Sequence, residues 1–218
     1  MATQIHVFPF NIFSENTYLL IDTITKETVV IDPGFSNEKE RTVFTNYVKD
    51  NNLIIKYLLN THCHADHVLG NNFVENTYNV ELQAHKQEIP ILEAVVLYAG
   101  SYRLGNIEPM RIKKFITEGD TITFGSNTLH LLHTPGHSPG SICFYNPIEK
   151  YIIAGDVLFY ENIGRTDFPM CSHSDLMDSI TKKLYALENE YVVYPGHGRS
   201  TTIQHEKNNN PHTHYLFQ

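Results

Sequence analysis

Four apolar runs in this sequence end in the same way, and this pattern most constrains how the chain can fold. Each run is followed at once by a side chain that can bind a metal, and three of the four breaks contain Gly or Pro-Gly. The junctions are Leu59-Asn60-Thr61-His62, Thr134-Pro135-Gly136-His137, Ala154-Gly155-Asp156 and Tyr194-Pro195-Gly196-His197. Functional side chains commonly lie on loops that rigid strands hold in place. We therefore expect these strand ends to converge on one shared site.

The first junction opens a compact cluster, His62-Cys63-His64-Ala65-Asp66-His67. Three imidazoles and a carboxylate this close together suit divalent metals such as zinc, iron or manganese. A single Pro-Gly-His or Gly-Asp sequence is most simply an exposed turn or a helix cap. The repetition of such junctions beside one compact cluster favours a metal site instead.

These stretches together supply five imidazoles and two carboxylates. The seven residues are His62, His64, Asp66, His67, His137, Asp156 and His197. They are too many for one tetrahedral ion. They suffice for two ions about 3.5 Å apart, with one bridging carboxylate and a water between them. The sequence therefore predicts two divalent metal ions, with zinc as the first expectation and iron or manganese as alternatives.

The apolar patterning predicts two groups of strands, each accompanied by helices. Strands are expected at residues 5–10, 17–22, 28–31, 53–59, 80–84, 121–124, 128–133, 141–145, 151–154 and 191–194. Helices are expected at residues 37–50, 70–76, 86–98, 174–187 and 202–208, with Asn37 as a cap. This order favours two packed sheets with helices outside over a regular βαβ alternation.

Composition narrows the class of protein. The 218 residues are 41% hydrophobic and 18% charged, as expected for one globular domain over residues 1–218. A net charge of -8 without a long basic run predicts no nucleic-acid or anionic-membrane partner. The three cysteines form no CxxC pair, which favours reduced thiols in the cytoplasm. We see no signal peptide and no apolar run of about 20 residues, so a cytoplasmic location is expected.

The chain resembles the metallo-β-lactamase superfamily, whose hallmark HxHxDH is matched by residues 62–67 and whose later His, Asp and His follow in order. The resemblance extends from Asp32-Pro33-Gly34 to Pro195-Gly196-His197. Within the superfamily the chain is most similar to the short bacterial form of the glyoxalase II (hydroxyacylglutathione hydrolase) branch, on residues 61–67, 134–141, 163–169 and 194–198. This resemblance implies a four-layer αββα sandwich of the mixed α/β class, with the metals at one edge.

The resemblance also implies roles for individual residues. The first metal would be held by His62, His64 and His137, the second by Asp66, His67 and His197, and Asp156 would bridge the two. Asp66 could in addition act in catalysis by orienting or deprotonating the water. Arg165 could bind a substrate carboxylate or simply pair with Asp167. For Tyr145 and Tyr160 a core or surface position is the simpler expectation, because the chain has thirteen tyrosines.

The function implied is metal-dependent hydrolysis of a thioester such as S-lactoylglutathione, by a hydroxide that two metal ions activate. The expected partner is this small molecule, and the oligomeric state stays open. Longer glyoxalase II enzymes carry a helical C-terminal region that supplies basic residues to glutathione. The tail over residues 211–218 offers no equivalent, so glutathione specificity follows less directly than the hydrolytic chemistry.

Other functions remain as alternatives. A persulfide dioxygenase would hold a single iron by two His and one Asp, which would leave Asp66, His67 and His197 without a role. A phosphodiesterase of the same superfamily would need a basic surface. A β-lactamase would need an export signal. A non-catalytic, metal-stabilised protein would show closed coordination without a position for water.

Overall fold

The computed structural model describes residues 2–104 and 107–213, which form two six-stranded sheets with helices on their outer sides. The strands of the first half are β1 Thr3–Phe10, β2 Glu15–Asp22, β3 Glu27–Ile31, β4 Ile54–Leu59, β5 Leu82–Ala84 and β6 Lys114–Phe115. Its helices are α1 Glu38–Asp50, α2 Ala65–Val68, α3 Asn71–Tyr78 and α4 Ile89–Tyr98, with 3-10 turns at Lys86–Glu88 and Ala99–Tyr102.

The second half repeats this plan with one added hairpin. Its strands are β7 Thr121–Phe124, β8 Asn127–His133, β9 Ile142–Asn146, β10 Tyr151–Gly155, β11 Leu158–Phe159, β12 Asn162–Ile163, β13 Val192–Pro195 and β14 Thr201–Thr202. Its helices are α5 His173–Asp178 and α6 Ile203–Asn209, and between them lie a π-helical turn at Ser179–Lys183 and a 3-10 turn at Leu184–Ala186. Strands β11 and β12 pair only with each other.

The first sheet has the order β1-β2-β3-β4-β5-β6, and the second has the order β14-β13-β10-β9-β8-β7. In the first sheet β1, β2 and β3 are antiparallel, whereas β3 to β6 run parallel. In the second sheet the pairing of β10 with β13 is parallel and its neighbours are antiparallel. The parallel strands β3 and β4, and likewise β10 and β13, therefore bring their carboxyl ends to the same edge.

Alternating side chains along the central strands create the layers. On β2, Leu19 and Ile21 pack with α1, α3 and α4, while Tyr18 and Leu20 pack between the sheets. On β10, Ile152 packs against the helices of the second half and Ile153 packs between the sheets. Successive side chains of a strand point to opposite faces, so strands buried on both sides produce this arrangement. The expected αββα sandwich is confirmed.

The expected elements are present, with ends that differ by a few residues. Asn37 caps α1 as expected, because its side chain accepts a hydrogen bond from the Glu40 amide. The long helix expected over residues 174–187 is instead divided into α5, the π-helical turn and the 3-10 turn. The short strands β6, β11, β12 and β14 were not anticipated from the sequence. No helix within the described residues is long and apolar enough to cross a membrane.

Asp22 connects the two sheets. At the end of β2 its Oδ1 accepts hydrogen bonds from the amides of Ile24 and Thr25, at 3.0 and 2.7 Å. Its Oδ2 accepts from the Ser126 amide in the β7–β8 turn at 2.9 Å and from the side chain of Asn127, the first residue of β8, at 2.8 Å. These hydrogen bonds to backbone amides hold the pKa of the Asp22 carboxyl well below its usual range. One side chain therefore joins the β2–β3 turn to the second sheet.

We expect Asp22→Ala to lower the free energy of unfolding by about 2 kcal/mol or more, because several donors lose their acceptor together. Urea unfolding followed by circular dichroism measures this change. Asp120→Ala is the matched control, since Asp120 also accepts a turn amide, that of Thr117, but is exposed. Equal effects of the two substitutions would contradict a special role for Asp22.

Candidate metal centre

Three imidazoles from two different loops form the first group of potential ligands. His62 and His64 follow β4, and His137 follows β8; their ligand atoms all lie within 4.8 Å of one another. Nδ1 of His64 lies 2.8 Å from Nε2 of His137. Two ring nitrogens that approach this closely converge on a common point, as ligands of one ion do.

The second group consists of Asp66, His67 and His197, whose ligand atoms also lie within 4.8 Å of one another. Nε2 of His197 lies 3.2 Å from Asp66 Oδ2, and Nε2 of His67 lies 3.7 Å from the same oxygen. Asp66 and His67 lie on the short helix α2, and His197 follows β13. Each group therefore combines residues of both halves of the chain.

Asp156 lies between the two groups. Its Oδ1 lies 3.5 Å from Nε2 of His67, and its Oδ2 lies 3.5 Å from Nε2 of His137. Oδ2 is also 3.6 Å from Nε2 of His197. Asp156 thus faces ligand atoms of both groups, which is the position of a bridging carboxylate.

Glycine at position 196 leaves the space that Asp156 occupies. A Cβ atom on Gly196 would collide with Oδ1 of Asp156 and would lie 2.9 Å from the ring of His67. The backbone before His197 can approach the site this closely only without a side chain.

Several buried polar atoms at the centre have no hydrogen-bond partner in the described structure. They are Nε2 of His62, Nε2 of His67 and Oδ1 of Asp156. Buried polar atoms are nearly always hydrogen-bonded, so three such atoms among the candidate ligands indicate a further binding partner at this site. Imidazole nitrogens and a carboxylate oxygen are the ligands of zinc, iron and manganese. The donor set therefore fits divalent metal ions.

Hydrogen bonds on the outer side of the rings turn the free nitrogens inward. The Asp32 Oδ2 atom lies 3.1 Å from Nδ1 of His67 and accepts the Thr61 hydroxyl proton at 2.5 Å. The Thr61 Oγ1 atom is 3.1 Å from Nδ1 of His62. Asp32 thereby orients His67 directly and His62 through Thr61. Such outer partners fix the ring orientation of metal-binding histidines.

The two later histidines are oriented by backbone carbonyls. Nδ1 of His137 lies 2.9 Å from the Arg165 carbonyl oxygen, and Nδ1 of His197 lies 3.1 Å from the Phe13 carbonyl oxygen. A carbonyl can only accept, so each Nδ1 carries the proton and each Nε2 presents its lone pair to the centre. His64 differs, because its Nδ1 faces the centre.

The histidine pKa values shift in opposite directions in the two ligand groups. Burial, together with the neighbouring imidazoles, lowers the pKa of His62 far below its usual value and that of His64 to about 3. Burial also lowers the pKa of His137. These three rings are therefore neutral near pH 7, which is the form that binds metals.

In the second group, neighbouring carboxylates determine the protonation of His67. Burial opposes the charged form of His67, but Asp66 and Asp156 outweigh it and raise the pKa of His67 well above its usual value. Burial likewise opposes ionisation of Asp156, but His67 outweighs it and the carboxyl pKa lies well below its usual range. Without a metal, a proton on His67 balances these carboxylates, and a divalent ion would displace it.

A cavity of about 810 Å³ opens above both groups. Its lining includes His64, Asp66, His137, Asp156 and His197. Aromatic and apolar side chains form most of the walls, namely Phe13, Ile91, Ala94, Tyr98, Tyr102, Leu104, Phe159, Ile163 and Phe168. A concave, largely apolar cavity with a few convergent polar groups is the usual form of a small-molecule site.

The structure brings together all seven residues selected from the sequence, and it places Arg165 on the cavity lining. The Nε and Nη2 atoms of Arg165 donate to Asp167 at 2.9 and 2.8 Å, and its guanidinium lies 4.5 Å from the ring centre of Phe168. The pairing with Asp167 that was one of two expectations is therefore present. Tyr145 packs against the core of the second half, whereas Tyr160 lines the cavity instead of occupying a core or plain surface position.

Two residues near the centre were not anticipated. Glu15 is fully buried beside His67, with Oε1 at 3.8 Å from Nδ1, and burial raises its pKa well above the usual range. Arg199 lines the cavity two residues after His197. The proximity of Arg199 to His197 in the sequence could have indicated it, but Glu15 had no local signal.

Known proteins share this fold. The chain matches the metallo-beta-lactamase superfamily over residues 11–197. It is 35% identical over 210 residues to a hydroxyacylglutathione hydrolase of Haemophilus influenzae, covering 95% of this chain and 97% of that protein.

Solved structures agree. The BLEG-1 B3 metallo-beta-lactamase has a TM-score of 0.86 at 33% identity, over 96% of this chain and 99% of that one. The protein TTHA1623, solved in a di-iron-bound form, has a TM-score of 0.82 at 32% identity, over 95% of this chain and 99% of that one. With the family match spanning both groups of ligands, this chain belongs to the metallo-β-lactamase superfamily.

Proposed function

We propose that this chain is a metal-dependent thioesterase that hydrolyses a glutathione thioester such as S-lactoylglutathione. The observation that carries the proposal is the pair of ligand groups that share Asp156 at the base of one cavity. The similarity to a hydroxyacylglutathione hydrolase supports the choice of substrate. The cavity volume of about 810 Å³ is large enough for a tripeptide thioester.

In this proposal His62, His64 and His137 hold one ion, and Asp66, His67 and His197 hold the other, with Asp156 between them. Divalent ions held there would lower the pKa of a bound water to about 7 and would polarise the substrate carbonyl. Zinc is the metal we propose first, with iron and manganese as alternatives, since a di-iron form is known for the similar protein TTHA1623.

The protein's own groups position the reactants. Asp66 is only 18% exposed at its side chain, and Oδ2 faces the cavity beside Nε2 of His197. We propose that Asp66 orients or deprotonates the attacking water. The Arg165 Nη1 atom is not used by Asp167, so Arg165 keeps a donor for the substrate.

We propose a cytoplasmic enzyme whose partner is the small thioester. The three cysteines are unpaired, as in a reducing compartment, and Cys63 and Cys143 are buried. Burial raises the pKa of the Cys63 thiol well above its usual range, so it is an unreactive packing group.

The direct test combines elemental analysis of the purified protein with hydrolysis of S-lactoylglutathione, followed by thiol release. We expect about two metal ions per chain and measurable hydrolysis that is lost after chelation and restored by added metal. Circular dichroism of the chelated protein shows whether the fold persists. One iron per chain with no thiol release would overturn the proposal.

The similar B3 metallo-beta-lactamase makes β-lactam hydrolysis a second candidate activity. Nitrocefin turnover on the same preparation measures it. Oxygen uptake with glutathione persulfide measures the dioxygenase alternative. Thioester hydrolysis that exceeds both supports the proposal, and dominance of either other activity contradicts it.

Glu88 joins the two loops that carry the first ligand group. This buried carboxylate accepts the Cys63 amide at 2.7 Å through Oε2. Through Oε1 it accepts the Ser138 hydroxyl at 2.5 Å and the Gly140 amide at 2.7 Å. Cys63 lies between His62 and His64, and Ser138 follows His137. The spacing of the three imidazoles therefore depends on Glu88.

We expect Glu88→Gln to weaken metal binding about tenfold or more, because an amide replaces an acceptor that three donors share. Competition with a chromophoric chelator measures the dissociation constant. Glu75→Gln is the matched control, since buried Glu75 also accepts a backbone amide, that of Leu82, but its partners Leu82 and Lys113 lie outside the two loops that carry the first ligand group. Unchanged metal affinity in Glu88→Gln would show that the loops keep their spacing without this carboxylate.

A further inference from the structure

Arg199 offers an anion-binding group at the rim of the cavity. Its guanidinium carbon lies 3.4 Å from the ring centre of Tyr160. The Tyr160 ring also stacks on His205, with centroids 4.7 Å apart and planes at 22°. Tyr160 is thus held between the two side chains, and the guanidinium has a fixed position over its ring.

The donors of Arg199 remain available for a ligand. Within residues 2–104 and 107–213, no carboxylate oxygen lies within 4.0 Å of its guanidinium nitrogens, in contrast to Arg165. Glu161 interacts electrostatically with Arg199, but its Oε1 atom accepts a hydrogen bond from Nε2 of His205 at 2.9 Å. An exposed guanidinium without a carboxylate partner can bind a substrate carboxylate through two parallel hydrogen bonds.

The hairpin that carries Tyr160 is anchored to α6. Oε2 of Glu206, on α6, accepts the Glu161 amide at 2.9 Å. Oε1 of Glu206 accepts the Thr201 hydroxyl at 2.5 Å, on the strand that follows Arg199. The segments that bear Tyr160 and Arg199 are therefore fixed to one another before any ligand binds, which lowers the entropy cost of binding.

The cavity wall formed by α4 is apolar, in contrast to the cationic rim at Arg199. Ile91, Ala94 and Tyr98 line the cavity there, and α4 contributes no charged side chain to the lining. Burial raises the pKa of Tyr98 to about 12, so the phenol stays neutral. Five of the seven candidate metal ligands belong to the same lining, namely His64, Asp66, His137, Asp156 and His197. A substrate whose reacting carbon lies at the metal centre can therefore contact an apolar wall and a cationic rim at once.

We propose that Arg199, stacked on Tyr160, binds a carboxylate in the thiol portion of the substrate, while Ile91, Ala94 and Tyr98 bind an apolar acyl portion. This inference rests on the proposed thioesterase function and narrows it to acyl thioesters of an anionic thiol with an apolar acyl chain. In this proposal Arg199 supplies the positive charge that residues 211–218 were not expected to provide. Residues 214–218 lie outside the described structure.

The test measures binding of S-hexylglutathione, a thioether that cannot be hydrolysed, to the metal-loaded protein by isothermal titration calorimetry. We expect Arg199→Gln to raise the dissociation constant about tenfold, as for the loss of one charge-assisted pair. Arg199→Lys retains the charge and should recover part of the affinity. Arg41→Gln is the matched control, because Arg41 also lies over an aromatic ring, that of Phe73, but is remote from the cavity lining.

Two further ligands separate the two parts of the proposal. S-hexyl-N-acetylcysteamine lacks carboxylates, so its affinity should be the same for the native protein and Arg199→Gln. S-methylglutathione lacks the long apolar chain and should bind at least about tenfold more weakly than S-hexylglutathione. Equal affinity of S-hexylglutathione for the native protein and Arg199→Gln would overturn the role of Arg199, and equal affinity of the methyl and hexyl ligands would overturn the apolar subsite.

Kinetics distinguish this inference from the proposed function. With a hydrolysed glutathione thioester, Arg199→Gln should raise KM and leave kcat nearly unchanged, because a contact to the thiol portion stabilises the bound substrate and the transition state equally. An absence of hydrolysis together with Arg199-dependent binding would contradict the thioesterase function alone. Normal hydrolysis with an unchanged KM in Arg199→Gln would contradict the present inference alone.

Discussion

The metal centre depends on the hydrogen bonds that the buried carboxylate of Asp32 accepts. Asp32 lies at the end of β3 with a positive φ of 51°, is almost fully buried, and accepts hydrogen bonds from Asn60, Thr61 and His67. The β3–β4 connection, the start of the histidine cluster and helix α2 therefore share one acceptor. Because Asp32 orients His67 directly and His62 through Thr61, one buried group sets ligand positions for both candidate ions.

The centre also links the two halves of the chain. His62, His64, Asp66 and His67 belong to the first half, whereas His137, Asp156 and His197 belong to the second. Ions bound between them would stabilise the packed halves as well as the site, since ligands that bind only the folded state add to its stability. The cavity is likewise formed by both halves, because α4 of the first half forms one wall and the β11–β12 hairpin with Arg199 of the second half forms another.

The convergence of the seven candidate ligands could be predicted from the sequence because the signal for each is local. Gly155 and Gly196 interrupt apolar strands directly before Asp156 and His197, so strand, break and ligand lie within a few residues. The residues that form the cavity walls lack a comparable local pattern in the sequence. Strands β11 and β12 have two residues each, too few for any periodicity, and the position of Tyr160 depends on distant His205 and Arg199. The π-helical turn after α5 likewise follows from packing that a helical pattern does not reveal.

The placement of α4 and the β11–β12 hairpin has a consequence for how such a protein can change. Neither element contributes any of the seven candidate ligands, yet both shape the space above them. Mutations there can alter which molecules enter without disturbing the reactive centre or the sheets beneath it. One metal-binding framework can therefore acquire different specificities through substitutions in its cavity walls. Consistent with this, a hydroxyacylglutathione hydrolase and a B3 metallo-beta-lactamase are each about one third identical in sequence to this chain.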